Sequence, residues 1–358
     1  MVDKSRRKFL KGLAGLIGAA VLGTLAFKYE TNNNSYQSIS NNLNNNNSQY
    51  QNFPNNLNSL QYIFWDVPWG PGNGTYKLLD PYFQSNSPIT EGVIVAFDSH
   101  YNNSLDQILY LYENNINKKP IYINLFVTAN TNRDDITDLS QYDENIKNFL
   151  NLKRLSNTTK GGENIIIGFS EIDEVPIEQL AYYYSLMKNY LPNSKLFYYV
   201  DMGNSKRIVE LYNYLLNTYG IKLDMIGLEV YGTYNYNYND NGGYISMTES
   251  MINTIMQYKQ FADENNIKFF IGELGFRNGD VEGYINSGNT EYPDCPPEID
   301  YQDTIKYYID IIKQLHKMGI DIIGIYNWNG ANGDLFGLWN NPNINELINY
   351  MINNSNNE

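Results

Sequence analysis

From residue 60 onward, short apolar runs alternate with longer segments in which hydrophobic positions recur every three to four residues. The runs occupy 62–65, 92–97, 120–127, 164–169, 195–200, 225–230, 268–272 and 321–326. They are rich in Ile, Val, Phe and Tyr, and most lack polar–apolar alternation, as strands covered on both faces do. Between them, Leu105, Ile108, Leu109, Tyr112 and Ile116 share one helical stripe, and Ile305, Tyr308, Ile309, Ile312 and His316 share another. Further stripes fall in 146–155, 180–190, 208–219 and 251–262. Ser104 and Ser205 read as helix caps, Gly220 and Gly319 follow helix ends, and Pro192 stops another helix. Eight strands with a helix after nearly every one imply a parallel sheet, and right-handed crossovers close it into a barrel. The expected class is therefore α/β, a (β/α)8 TIM barrel in a single domain over 60–353. A doubly wound open sheet is the alternative, but it would want a Gly-rich phosphate turn after an early strand, and none is present.

The residues before the barrel follow other patterns. Ser5-Arg6-Arg7-Lys8-Phe9-Leu10-Lys11 resembles the twin-arginine export signal, and an apolar stretch follows over 12–27, short for a membrane span. Residues 1–30 are read as a signal peptide or an N-terminal anchor, with 24–26 only a weak cleavage site; a basic amphipathic helix is the alternative. Of the 27 residues from 32 to 58, 13 are Asn, and no charge occurs between Thr31 and Trp65. Such a segment cannot bury enough apolar area to offset its chain entropy, so 31–59 is expected to be a disordered linker. Residues 354–358 are read as a disordered tail.

Composition narrows the partners. Acidic residues outnumber basic ones 39 to 25, for a net charge of −14, which disfavours a nucleic-acid partner held through phosphates and a polyanionic substrate. Cys295 is the single cysteine, so a disulfide within the chain and a cysteine zinc cluster are excluded, and the two histidines, His100 and His316, leave little for a histidine-rich metal site. No metal and no cofactor is expected. A chain without disulfides also suits export in the folded state.

Barrel enzymes assemble their sites at the C-terminal strand ends. That rim receives Trp65, Asp66 and Trp69 after the first strand, Asp98 and His100 after the second, and Asn130 after the third. Glu171, Asp173 and Glu174 follow the fourth strand, Asp201 the fifth, and Glu229 and Tyr231 close the sixth. Glu273 and Phe276 end the seventh; Asn327 and Trp328 follow the eighth, with Trp339 in the next loop. All four tryptophans fall on this rim, where flat indoles suit the apolar faces of sugar rings. Glu273 emerges from a buried run, where an unpaired charge is costly, and the Glu171–Glu174 cluster leaves the barrel on the opposite side. Two carboxylates facing each other across a mouth are what glycoside hydrolysis needs.

Gly272-Glu273-Leu274-Gly275-Phe276, Tyr326-Asn327-Trp328 with the Gly-rich 330–337, and Tyr231 together make the chain similar to the clan A glycoside hydrolases. In those barrels the acid/base glutamate ends strand four and the nucleophile ends strand seven. The resemblance implies an exported glycosidase acting on a neutral poly- or oligosaccharide by a retaining mechanism, with Glu273 as nucleophile. Glu174, in Asp173-Glu174-Val175-Pro176, is the first choice for acid/base and Glu171 the rival; Asp173 replaces the family's Asn at the sugar 2-hydroxyl. Trp328 would floor the subsite of the cleaved sugar, and Tyr231 would steady the nucleophile. The strand-two Arg of many members is missing, with Phe97-Asp98-Ser99-His100 in its place. Trp65, Asp66, Trp69, His100, Asp201, Phe276, Asn327 and Trp339 complete the expected sugar contacts. A non-catalytic carbohydrate-binding barrel and a transglycosylase are the competing functions. The expected partners are the carbohydrate and, during export, the twin-arginine translocase; the mature protein is expected as a monomer outside a prokaryotic cell or at its surface. His316 and Cys295 read as bystanders, and 231–244 as a lid or a loop.

Overall fold

The computed structural model describes residues 60–67, 75–98, 101–127, 136–231, 247–276, 301–328 and 337–354. The N-terminal signal and linker, Trp69, His100, Asn130, Cys295 and most of 231–244 therefore lie outside the described residues. Eight parallel strands run in sequence order around a closed barrel. They are β1 (Gln61–Asp66), β2 (Ile89–Ala96), β3 (Ile121–Val127), β4 (Ile165–Ser170), β5 (Lys195–Val200), β6 (Met225–Tyr231), β7 (Lys268–Gly275) and β8 (Ile322–Tyr326). The last strand returns to the first, with Gln61 opposite Ile322 and Phe64 opposite Ile325. The expected (β/α)8 barrel is thus the observed one.

The helices are α1 (Asp80–Phe83), α2 (Tyr101–Glu113), α3 (Asp143–Leu150), α4 (Lys153–Thr158), α5 (Ile177–Tyr190), α6 (Lys206–Tyr219), α7 (Glu249–Glu264), α8 (Tyr301–Lys317) and α9 (Ile344–Asn354). Three local readings are corrected. The α2 stripe ends at Glu113, so Ile116 lies beyond the helix and is 74% exposed. Ser104 sits inside α2 and donates to the carbonyl of Ile94 at 3.2 Å, and Ser205 precedes α6 without making a side-chain cap. Gly220 does close α6, with φ 64. No helix among the described residues is long and apolar enough to cross a membrane.

Strand residues divide by parity. On β1, Ile63 and Trp65 point into the barrel, whereas Tyr62 and Phe64 point toward the helices. On β5 the inward pair is Phe197 and Tyr199 and the outward pair Tyr198 and Val200. Burial of each large side chain contributes about 1.5–3 kcal/mol, so both faces must be apolar, which explains the unbroken hydrophobic runs. Two cores result: a shell between strands and helices, and a barrel filling that is mostly aromatic.

Candidate active site

The upper barrel filling is a cluster of aromatic rings. Tyr199 stacks on Phe197 at 5.6 Å and meets Phe270 edge-on at 5.7 Å, with the Trp65 ring 6.2 Å away. Above them sits Glu273, fully buried. Tyr199 donates its hydroxyl proton to Glu273 Oε1 at 2.9 Å, and Tyr231 donates to Oε2. Asn124 donates to the Tyr199 oxygen at 2.7 Å and to Ser170 Oγ at 2.8 Å, which leaves the phenol proton free to face the carboxylate.

Glu273 reaches this position through an irregularity. Gly272 points inward, since a Cβ there would lie 2.2 Å from the Tyr199 ring, and strict alternation would send Glu273 outward. Strand β7 carries an extra residue at this point: Leu228 and Glu229 of β6 pair with Ile271 and Glu273, and Ile323 and Ile325 of β8 pair with Ile271 and Leu274. A bulge of this type bends the strand and re-aims a side chain. The flanking glycines make room for the two phenols, since a Cβ on Gly275 would lie 2.2 Å from the Tyr231 ring. That accounts physically for the Gly-Glu-Leu-Gly pattern.

Glu171 joins Glu273, and Glu174 does not. One carboxylate oxygen each from Glu171, Glu229 and Glu273 lies within 4.8 Å of the others. Glu171 is the first residue past β4 and has φ 49, a left-handed conformation uncommon for a residue with a side chain. Glu174, the first choice for acid/base, is exposed three residues farther along and is not in this group, whereas the rival Glu171 is. Strand β4 ends at Ser170 and the chain turns at Glu171, so the five-residue spacing after Gly168 carries Glu174 past the turn. Glu229 was visible as a polar residue ending a buried strand, and Asn124 as one amid an apolar run; parity within β5 pairs Tyr199 with the inward Phe197. Three carboxylate oxygens can also attract a hard cation. Glu273 already accepts two phenolic protons, from Tyr199 and Tyr231.

Other expected sugar contacts are placed elsewhere. Trp65 is fully buried beneath the site and donates its indole N–H to the Gly272 carbonyl at 2.7 Å, so it supports the floor and is closed to solvent. Trp328 is 3% exposed and meets the outward-facing Phe64 edge-on at 5.4 Å. Strand β8 ends at Tyr326, so alternation no longer governs Trp328, and Tyr326 is the inward aromatic, 6.0 Å from the Tyr231 ring. Trp339 is half-buried against the shell, its backbone N–H bonded to the Trp328 carbonyl at 2.9 Å. Phe276 stacks on Tyr307 of α8 at 4.0 Å, and Asn327 is fully buried.

Asp66 is also fully buried, because its parity sends it to the shell opposite Trp65. There burial pushes its carboxyl well above the usual range, against the opposing pull of Glu91 and Gln107. Glu91 of β2 is raised likewise, first by burial and then by the charges of Asp66 and Asp80, while Lys119 opposes the rise. Burial lowers Lys119 to about 8. Asp173 is almost buried and Asp201 caps its own turn, so both hold loops together and neither is grouped with the glutamate cluster. Tyr231 is half-buried, with its phenol on Glu273.

No protein-family model matches the chain, and no curated protein sequence matches it. Solved structures do share its fold. A β-1,4-mannanase of glycoside hydrolase family 113 superposes with TM-score 0.52 at 12% identity, over 82% of this chain and 98% of its own. A family 5 mannosidase from Rhizomucor miehei gives TM-score 0.54 at 12% identity, over 82% and 92%. Both are similar to this chain as (β/α)8 barrels.

Proposed function

We propose that the chain is a glycoside hydrolase that cleaves a neutral poly- or oligosaccharide with retention of configuration. The observation that carries this reading is the pair Glu273 and Glu171: one buried and held by two phenolic donors, the other at the mouth with an oxygen no more than 4.8 Å away. Retaining enzymes separate their carboxyl groups by about 5 Å, whereas inverting ones need more than about 6.5 Å to admit water.

In the first step Glu273 attacks the anomeric carbon as the glycosidic bond breaks. Glu171 gives its proton to the leaving oxygen. Water then attacks the glycosyl–Glu273 ester while Glu171 takes a water proton, which restores both groups. Tyr199 and Tyr231 hold the nucleophile in line and soften its charge as the ester forms. The substrates named for the two similar barrels, mannan and mannosides, make β-1,4-mannooligosaccharides the first probes. Incubation with a 2-deoxy-2-fluoro glycoside, which slows the second step, is expected to add one glycosyl mass to the peptide containing Glu273. A label on another residue, or none with any tested sugar that the protein cleaves, would refute the assignment.

The proposal includes export. Arg6-Arg7 ahead of an apolar stretch supports twin-arginine translocation from a prokaryotic cytoplasm, with residues 1–30 cleaved or kept as an anchor and the protein acting outside the cell as a monomer. Arg6→Lys with Arg7→Lys is expected to hold the protein in the cytoplasm; unchanged export would reject the route.

A further inference from the structure

Glu171 stands on a loop that a second loop grips. Of the residues after β4, Ile172 and Val175 are fully buried and Asp173 is 9% exposed. The backbone N–H of Glu171 bonds to the Tyr199 carbonyl at 3.4 Å. Ties to the rest of the segment come from the loop after β5. Asn204 Nδ2 donates one proton to Asp173 Oδ2 and the other to Asp201 Oδ2, each at 2.7 Å. Asp201 Oδ1 accepts from the backbone N–H groups of Gly203 and Asn204, at 2.5 and 3.2 Å, and so fixes the residue that does the bridging. From the first turn of α6, Arg207 Nη2 bonds to the Val175 carbonyl.

We propose that Asn204, bridging Asp173 to Asp201 with Arg207 on Val175, is a positioning device that holds Glu171 in its left-handed conformation and sets its carboxyl as the proton donor. The short Glu171–Val175 segment is pinned at Asp173 and Val175, which are outside the glutamate group, and Glu171 is the member that joins it. A non-glycine residue in this backbone region costs about 1–3 kcal/mol and persists only where its surroundings impose it. The clasp is such a surrounding. Burial first, then the charge of Asp201, lifts Asp173 to about 8, with Asn204 and Arg207 opposing. Near neutrality Asp173 therefore keeps its proton, and the paired acids do not repel. The phenol of Tyr198, from β5, faces the same cluster.

This inference rests on the glycosidase reading, and the test separates the two. Matched substrates are an unactivated β-1,4-linked oligosaccharide and the 2,4-dinitrophenyl glycoside of the same sugar, taken from mannose, glucose and xylose series. General-acid catalysis supplies about 10²–10⁴-fold, and only to a leaving group that needs a proton. Asn204→Ala is expected to lower kcat/KM about 10–100-fold on the oligosaccharide and less than about 3-fold on the dinitrophenyl glycoside. In a Glu171→Ala background the same change should add almost nothing. Asn204→Ser serves where the alanine variant does not fold. Equal losses on both substrates, or no loss on the oligosaccharide, overturn the clasp alone. A wild-type protein that cleaves neither substrate in any series overturns the glycosidase reading and the clasp's catalytic role with it.

Discussion

Trp65 donates its indole N–H to the carbonyl of Gly272 across the inside of the barrel, at 2.7 Å. The bond ties β1 to the bulge that turns Glu273 inward, so a residue with no access to solvent governs the aim of that carboxylate. Trp65→Phe keeps most of the packing and leaves the carbonyl without its donor, at a cost of about 1–3 kcal/mol. The expected result is a folded protein with a lower melting temperature and a larger loss in kcat than in KM. Unchanged kcat would show that the bulge holds its shape alone.

The two acids after β4 are separated by substitution. Glu171→Gln is expected to lower kcat/KM on an unactivated oligosaccharide about 10²–10⁴-fold, and Glu174→Gln to leave it within about 2-fold. Azide should restore turnover of an activated glycoside by a Glu171→Ala variant, with an azide product of retained configuration. The reverse order of effects would return the acid/base role to Glu174.

Tyr231→Phe removes one of two protons offered to Glu273. A hydrogen bond to a charged group contributes about 1.5–3 kcal/mol, so kcat/KM should fall about 10–100-fold. Gly275→Ala should act in the same direction, since its Cβ would lie 2.2 Å from the Tyr231 ring and displace the phenol. Steady-state kinetics on the two variants, with circular dichroism to confirm the fold, tests both.

Asp66 makes a prediction about stability. Its carboxyl is raised in the folded protein, chiefly by burial, so the fold binds more protons than the unfolded chain above about pH 4. Its contribution is fully present below that pH and is lost as pH rises toward the folded value. Asp66→Asn carries no charge to desolvate and should be the more stable protein at pH 8, by about 1–3 kcal/mol, with the gain shrinking toward pH 5. Denaturant titrations across that range check it; an advantage that grows on acidification would reverse the argument.

The barrel was legible in the chain because two-sided burial writes itself into every strand as an uninterrupted apolar run, and the helices between carry their own period. Glu273 was legible for a related reason: a charge emerging from such a run has few roles that repay its desolvation. Tertiary structure decided which side chains share a space. Trp65, Trp328, Phe276 and Asp66 all lie near strand ends, yet parity and the point where each strand stops send them into the floor or the shell. Glu171 and Glu273 meet only because one residue adopts a left-handed backbone and one strand carries an extra residue. Both are departures from regular geometry, held by contacts from other strands, and a pattern read along one strand carries no record of its neighbours.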